Sequence, residues 1–355
     1  MGTNETMRGV VFRGDRVAEV IEFPMPVPGR GEVLIRLKRA AICGSDLHSY
    51  RRSKSFFAGK APWIPGHEPA GEVAALGEGC HRVQVGDRVT IYHWIGCGHC
   101  RQCLAGYYQW CDDRRGLGQA NAVGPDADYM VVPERNCLLL PDELSYDDGA
   151  MIACIAATGF SSLRKLALNG EDTLIVFGQG PVGLTGTIMG VALGARVIGV
   201  DPVAERRALS AALGADEVLD PGDGKSAVAG DLNAAVQTLT GGMGADAAFE
   251  TSGSAAARQA VIQVLRCGGR AAFVGIGAHG PTTDLGGIIG KELTLMGSFV
   301  MPIHYYWDLV DFMLQYDLPS KYQTMITHRY PLEDAAEAFR VAESAQAGKV
   351  VFEWD

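Results

Sequence analysis

Basic residues are in short supply. The chain carries 31 Lys and Arg against 41 Asp and Glu, a formal net charge of −10, and it has no dense basic cluster. Nucleic acid and anionic membrane surfaces are therefore poor partners. Histidine is scarcer still, with 8 in 355 residues, so a histidine close to other ligand-type side chains stands out. Internal repeats and low-complexity tracts are missing, which argues against a solenoid or a linker protein. The opening stretch Met1-Gly2-Thr3-Asn4-Glu5-Thr6 lacks the apolar core of a signal peptide, and the expectation is a cytoplasmic protein. One uncharged run, between Thr173 and Arg196, approaches membrane-spanning length. It is broken by Gly178, Gly180, Pro181, Gly183, Gly186 and Gly190, and it begins with the β-rich Leu174-Ile175-Val176-Phe177. A strand, turn and helix inside a core is the expected form.

What is present fits a globular protein of two domains. Hydrophobic residues make up 47% and charged residues 20%, ordinary for a packed chain. Cysteines number 9, and four of them fall in Cys97-Gly98-His99-Cys100-Arg101-Gln102-Cys103 and Cys111. Without an export signal, this spacing points to metal rather than a disulfide framework. Three thiolates at steps of three wrap one tetrahedral ion, and a fourth closes the shell, which makes the site structural. An iron–sulfur cluster fits less well. The ferredoxin run has three residues before its last cysteine and then proline, whereas here seven intervene and Asp112 follows. His99 is left as a solvated bystander.

A second set of donors is more dispersed. Cys43-Gly44-Ser45-Asp46-Leu47-His48 and Gly66-His67-Glu68 bring a thiolate, imidazoles and a carboxylate within about 25 residues. Such ligands suit zinc, and Ser45 and His48 beside Cys43 can carry protons. The plain alternative is a buried cysteine with satisfied histidines. Pro65 and Gly66 fix the backbone before His67.

Around these motifs the chain reads as strands over 8–12, 17–23 and 32–41. The poor alternation of Val33-Leu34-Ile35-Arg36-Leu37 predicts burial on both faces of the third. Tyr50, Phe56, Phe57 and Trp63 stand in a loop rich in Arg and Lys; they line a substrate entrance or pack on the surface. With them, His93, Trp94, Phe299 and Met301 are candidates for pocket lining. A turn at Gly86-Asp87 leads to a strand expected to run to Trp94, a strand pair spans Asp128 to Leu140, and a helix runs Ala150 to Ser162 with Cys154 inside it. Alone, Cys154 reads as a small apolar core residue.

The second half alternates strand and helix. Gly178-Gln179-Gly180-Pro181-Val182-Gly183 follows the strand Leu174–Phe177, opens a helix expected over Leu184 to Leu193, and is followed 18 positions after its last glycine by Asp201. That context makes it a dinucleotide fingerprint: glycines let backbone amides approach a pyrophosphate, and the helix N-terminus favours its charge. Asp201 would accept hydrogen bonds from ribose hydroxyls and repel a 2′-phosphate, favouring NAD over NADP, although Arg206 and Arg207 are placed to meet a phosphate. Further helices (204–213, around 231–239, 255–265) and strands (196–200, 217–219, 245–250, 270–274) continue the alternation, and six parallel strands of a doubly wound sheet fit it. A tail with helices at 306–315 and 332–343 and a strand at 349–352 is expected to return to the first domain.

Taken in order, Cys43 to His48, Gly66 to Glu68, the four-cysteine lobe, Cys154, Gly178 to Gly183 and Asp201 resemble a zinc-dependent medium-chain alcohol dehydrogenase over essentially the whole chain. The resemblance implies a mainly β, GroES-like catalytic domain (1–155 and 298–355) and a Rossmann-type NAD-binding domain (156–297). It implies two zinc ions per chain. One is held by Cys43, His67 and Cys154, with Glu68 as a neighbouring or alternating ligand. The other is held by Cys97, Cys100, Cys103 and Cys111. Asp46 would orient His67, Ser45 would take the alcohol proton, and the proton would leave through a ribose hydroxyl to His48. Gly178, Gly180, Pro181, Val182, Gly183, Asp201, Arg206, Thr158, Val274 and Ile276 would contact NAD. The substrate would be a small alcohol and the assembly a homodimer or homotetramer. Polyol dehydrogenases of the family carry Glu-Pro near the position of Cys154, and this chain has Ala153-Cys154, which leans toward the alcohol branch. Yet Cys43 to Tyr50 also resembles polyol and threonine dehydrogenases. A zinc-free reductase of the same fold would lack the thiolates, and a non-enzymatic zinc-binding module would need one ion only.

Overall fold

A computed structural model describes residues 5–119, 123–222, 232–277 and 284–355. The first four residues of the polar N-terminus, and Asp231 at the expected start of a helix, lie outside the described residues. The chain divides into two compact units: Met1–Ala157 with Pro302–Asp355, and Thr158–Met301. The first divide lies within the helical stretch from Tyr146 to Lys165.

The first unit is built on a sheet in the order Ile326–Tyr330, Lys349–Glu353, Glu32–Ala41, Pro69–Leu76, Arg88–Ile91 and Cys137–Leu139, with Tyr129–Pro133 also paired to Glu32–Ala41. The C-terminal strand closes on the first half of the chain through the antiparallel partners Val351 and Ala41. The strand Glu32–Ala41 corrects the expectation of burial on two faces. Val33, Ile35 and Leu37 are fully buried, while Arg36 is exposed and Leu34 half-buried. Strand period 2 therefore holds, and one face alone meets the core of Val73, Val89, Ile91, Met130 and Val132.

Two other expectations change. The strand entered at Gly86 stops at Ile91 and resumes only over Trp94–Ile95, so Tyr92 and His93 leave the ladder and turn inward. The segments Tyr129–Pro133 and Cys137–Leu139 are both strands, but they pair with different partners rather than each other. A 3₁₀ turn, Glu134–Asn136, separates them. Its Asn136 amide donates to the carbonyls of Tyr92 and Trp94, which fixes the interruption beside His93.

The helix expected at Ala150 starts earlier, at Tyr146. Ser145 caps it, accepting from the Asp148 backbone while the Asp148 carboxylate accepts from Ser145 N–H. A capping box of this kind stabilises a helix start by about 1 kcal/mol. The backbone then widens into a π-helical turn at Ile152–Ala156 before resuming as Ala157–Lys165. Such turns are rare and recur at functional sites; this one contains Cys154.

In the second unit six strands form one parallel sheet, ordered Glu217–Leu219, Arg196–Val200, Thr173–Phe177, Ala245–Glu250, Leu265–Phe273 and Thr294–Gly297. The order reverses direction at the strand Thr173–Phe177, which is the switch point of a dinucleotide-binding sheet. The following helix is Pro181–Ala192, three residues earlier than the expected start, because proline at the first helical position fits its fixed φ. The helices Leu285–Lys291 and Leu318–Met325 and the strand Ile326–Tyr330 had no clear sequence signal. Among the described residues no helix is long and apolar enough to cross a membrane.

Candidate metal centres and dinucleotide site

The four-cysteine lobe forms one cluster. Ligand atoms of Cys97, Cys100, Cys103 and Cys111 lie within 4.8 Å of one another, and the Cys97 and Cys103 sulfurs are 4.0 Å apart. A tetrahedron with metal–sulfur bonds of 2.3 Å has edges of about 3.8 Å, so the donor set fits a closed zinc shell. Backbone amides support the sulfurs: Cys100 N–H donates to Cys97 Sγ, Cys103 N–H to Cys100 Sγ and Cys97 N–H to Cys111 Sγ. These bonds favour thiolates. The Cys97 thiol is lowered to about 6, chiefly by its hydrogen bonds at His99 and Cys100. His99 is exposed and turned to the Cys97 carbonyl.

The second cluster is buried and drawn from distant segments. Cys43 follows the strand Glu32–Ala41, His67 and Glu68 precede Pro69–Leu76, and Cys154 projects from the π-helical turn; their ligand atoms also lie within 4.8 Å of one another. Asp46 ties two of these segments together. Its Oδ2 accepts the Cys43 N–H at 2.8 Å, and its Oδ1 lies 2.8 Å from His67 Nδ1. That leaves Nε2 as the free ring nitrogen, with Ser45 Oγ 3.5 Å away. A carboxylate behind a ligating imidazole fixes the ring and raises its basicity. Burial disfavours charge on His67, but Asp46 and Cys43 more than offset it and hold the imidazole well above its ordinary value. The Cys43 thiol is held well below the usual range by a hydrogen bond from Cys154, against its own burial, with His67 adding to the effect. A buried cluster that attracts positive charge this strongly, with soft donors, fits a zinc ion.

Glu68 shows what sequence reasoning missed. Its carboxylate is fully buried and lies 2.5 Å from the ammonium of Lys349, itself fully buried. Burial pushes the Glu68 carboxyl up to about 8, with Lys349 pulling the other way. Lys349 opens the last strand of the chain, and nothing in its sequence neighbourhood distinguishes it from a surface lysine. Asp126 was also missed. It is 1% exposed, neither carboxylate oxygen has a hydrogen-bond partner among the described residues, and burial, then Asp46, hold it well above the usual carboxylate range. His93 stands beside the cluster with its ring centroid 5.3 Å from that of His67. Burial lowers it to about 3, so it is a neutral imidazole, and its Nδ1 lies 2.5 Å from the Ala153 carbonyl. It thereby braces the turn that carries Cys154.

The other pocket candidates separate. Tyr50 is not a lining residue: it is 3% exposed and packs against Phe12 and Phe339, because its helix Asp46–Tyr50 turns that face to the core. Phe56, Phe57 and Trp63 form a half-buried aromatic group. Ser45 and His48 are exposed, and the His48 N–H donates to the Ser45 carbonyl. In the second unit Met301 is buried and Phe299 partly exposed.

The glycine turn of the second unit has the geometry its sequence implies. Gly178 has φ +85°, and a Cβ on Gly183 would overlap the Gly178 carbonyl oxygen, so neither position admits a side chain without displacement. Gly180 caps the helix Pro181–Ala192 in an extended conformation, and the space around its α-carbon is open apart from Arg206. Asp201 is 2% exposed. Its Oδ2 accepts the Gln179 N–H at 2.7 Å and its Oδ1 the Val203 N–H at 2.8 Å, so it also pins the turn. Arg206 Nη1 is 3.8 Å from Asp201 Oδ2. Glu250, fully buried, accepts from Ser252 and Gly253 N–H and from the Ser252 hydroxyl, shaping the loop after the neighbouring strand. Val274 N–H donates to the Glu250 carbonyl, Ile276 is exposed and Thr158 buried.

Comparison with known proteins agrees with this arrangement. Residues 29–142 match the alcohol dehydrogenase GroES-like domain, and residues 181–315 match the zinc-binding dehydrogenase domain. The chain is 34% identical over 360 residues to an uncharacterized zinc-type alcohol dehydrogenase-like protein, YphC of Escherichia coli K12, covering 98% of each. The chain belongs to the zinc-dependent medium-chain alcohol dehydrogenase family. It is also 34% identical to an L-threonine 3-dehydrogenase of Francisella philomiragia, covering 93% of this chain and 94% of that one. Its fold is similar to that of 2R,3R-butanediol dehydrogenase from Bacillus subtilis, with a TM-score of 0.84 and 29% identity over 98% of this chain and all of that one. As a medium-chain alcohol dehydrogenase, the chain is an oxidoreductase whose donor sets and glycine turn support zinc and NAD as cofactors.

Proposed function

We propose that this chain is an NAD-dependent dehydrogenase that reversibly oxidises a secondary alcohol, with Cys43, His67 and Cys154 holding a catalytic zinc and Cys97, Cys100, Cys103 and Cys111 a structural one. The observation that carries the reading is the convergence of Cys43, His67, Glu68 and Cys154 in a buried cluster, with Asp46 fixing both Cys43 and His67. Zinc bound there would act as a Lewis acid on the substrate hydroxyl, and NAD would accept the hydride. The protein residues supply the rest. Asp46 keeps His67 Nε2 directed at the cluster. Ser45, beside Nε2, would accept the hydroxyl proton as it gives up its own, and His48, exposed one turn along, would release that proton to solvent. Glu68, held by Lys349, stands as the neighbouring carboxylate. Gly178, Gly180, Pro181, Val182 and Gly183 hold the pyrophosphate, Asp201 the ribose with Arg206 at its edge, and Thr158, Val274 and Ile276 the nicotinamide side.

A polyol or amino-alcohol substrate is a second reading, favoured by the likeness to threonine dehydrogenase. Cysteines without disulfide partners in two clusters suit a reducing cytoplasm, and a homodimer or homotetramer accompanies the family reading. The test is a panel of secondary alcohols, polyols and L-threonine with NAD, read as NADH absorbance, together with zinc analysis. We expect two zinc ions per chain and turnover of at least one substrate class. One ion per chain with no NAD reduction by any class would overturn the reading.

A further inference from the structure

We infer that the alcohol this enzyme oxidises carries an anionic group, a phosphate or a carboxylate, that is received by Arg52 and Lys60 on the loop between Tyr50 and Pro65. The inference rests on the proposed dehydrogenase function and names its substrate class. The chain as a whole carries a net charge of −10, yet residues 47–67 hold Arg51, Arg52, Lys54 and Lys60 and no acidic residue. In a chain of net negative charge, the segment that joins the Cys43 motif to the His67 motif is thus a local concentration of cations.

The cations of this segment are not equivalent. Arg51 is committed to Glu343 at 2.8 Å. Among the described residues no carboxylate pairs with Arg52, Lys54 or Lys60, and all three side chains are exposed. Two of them are gathered on one ring: the Arg52 guanidinium lies 4.6 Å and the Lys60 ammonium 3.5 Å from the centroid of Phe56. The ring face attracts each cation, but two like charges held on one ring repel, and an anion that contacts either of them would relieve that repulsion. Arg presents a planar fork and Lys a mobile point charge, the pair of donors that suits a carboxylate or phosphate.

The patch is built against the metal-cluster loop. Phe56 packs edge-on to Trp63, and Phe57 stacks on Trp63 with centroids 5.3 Å apart. The Trp63 indole N–H donates to the Gly118 carbonyl at 3.2 Å. Gly118 in turn lies so close to Gly66 that a Cβ on Gly118 would overlap the Gly66 carbonyl. Gly66 directly precedes His67. A succession of aromatic and backbone contacts thus leads from the two exposed cations to the residue before His67, all within the first unit.

The test compares neutral and anionic alcohols of matched carbon skeleton: a hexitol, its phosphate monoester and the corresponding sugar acid. For the wild-type holoenzyme we expect kcat/KM to be higher for an anionic member than for the hexitol, with the advantage shrinking as salt rises from about 0.01 to 0.5 M. In the double variant R52Q/K60Q the anionic-to-neutral ratio should fall about tenfold, as expected for two exposed charge contacts. The exposed Lys321→Gln control should keep the ratio. The phosphate and sugar-acid arms show which anion is recognised. An unchanged ratio in the double variant, or no anionic advantage in the wild type, overturns the inference. Binding of both anions is also measured by calorimetry. If no alcohol is oxidised, but an anion binds the wild type and is lost in the double variant, the dehydrogenase reading fails and the anion subsite stands. If neither anion binds, the subsite fails.

Discussion

The two donor clusters of the first unit follow opposite plans. The four-cysteine lobe takes all its ligands from 15 consecutive residues, leaves Cys97 and Cys100 half-exposed, and stabilises its sulfurs with its own backbone amides. The Cys43 cluster assembles a mixed set from three separate segments, buries all of it or nearly so, and relies on side chains for second contacts: Asp46 behind His67, Lys349 against Glu68, His93 behind Ala153. A closed set of four thiolates has no position left for substrate, whereas three soft donors with a carboxylate already paired to Lys349 leave one open. That contrast is what the proposed division requires, a local cluster that shapes a loop and a dispersed one that holds a reaction.

The sharpest way to break this contrast is substitution in the dispersed cluster. Cys43→Ala or His67→Ala should lower kcat by about 10³-fold or more, the scale of losing a principal catalytic element. Zinc content should drop from two ions to one, with an unchanged circular dichroism spectrum. Retained turnover would remove these residues from the proposed site. Lys349→Met comes next. It leaves a buried carboxylate without its cation and should cost about 3–5 kcal/mol of stability by denaturant titration. The double change E68Q/K349M should recover a good part of that loss. If the single variant is as stable as wild type, the ion pair does not hold the cluster.

In the lobe the effect should fall on stability rather than chemistry. Cys100→Ser should lower the thermal midpoint by roughly 5 °C or more, since structural zinc contributes folding energy, while any protein that stays folded keeps a measurable kcat. Complete loss of kcat in folded protein would erase the distinction between the two clusters. The smallest effect belongs to the second unit. Asp201→Ala should raise KM for NAD about tenfold and narrow the preference over NADP. Because Asp201 also accepts two backbone N–H groups, part of that rise should reflect a loosened glycine turn. Unchanged cofactor preference would take the ribose role from Asp201.

Legibility followed the same division. The lobe, the glycine turn and the strand–helix alternation were readable because their determinants are neighbours in the chain: thiols at steps of three, glycines at fixed offsets, a proline at a helix start. Cys154 was readable only through resemblance. Alone it is one more small buried residue, and its exposure to the cluster depends on the π-helical turn at Ile152–Ala156, which no local pattern announces. The strand Glu32–Ala41 was misread because Leu34 is apolar yet only half-buried, so its pattern looked two-sided. Tyr50 was misassigned because an aromatic beside a motif gives no hint of which face its short helix presents to the core.

By itself the sequence determined which donors exist, which of them are bound into local motifs, and that a nucleotide turn follows a buried strand, since these depend on backbone geometry over a few residues. Only the tertiary structure decided that Lys349, at the opposite end of the chain, meets Glu68, that Asp126 is sealed in with no hydrogen-bond partner for its carboxylate among the described residues, and that Asp46 serves Cys43 and His67 together. Those facts depend on which segments the sheet brings side by side, and charge pairing across that distance leaves no periodicity in the chain to read.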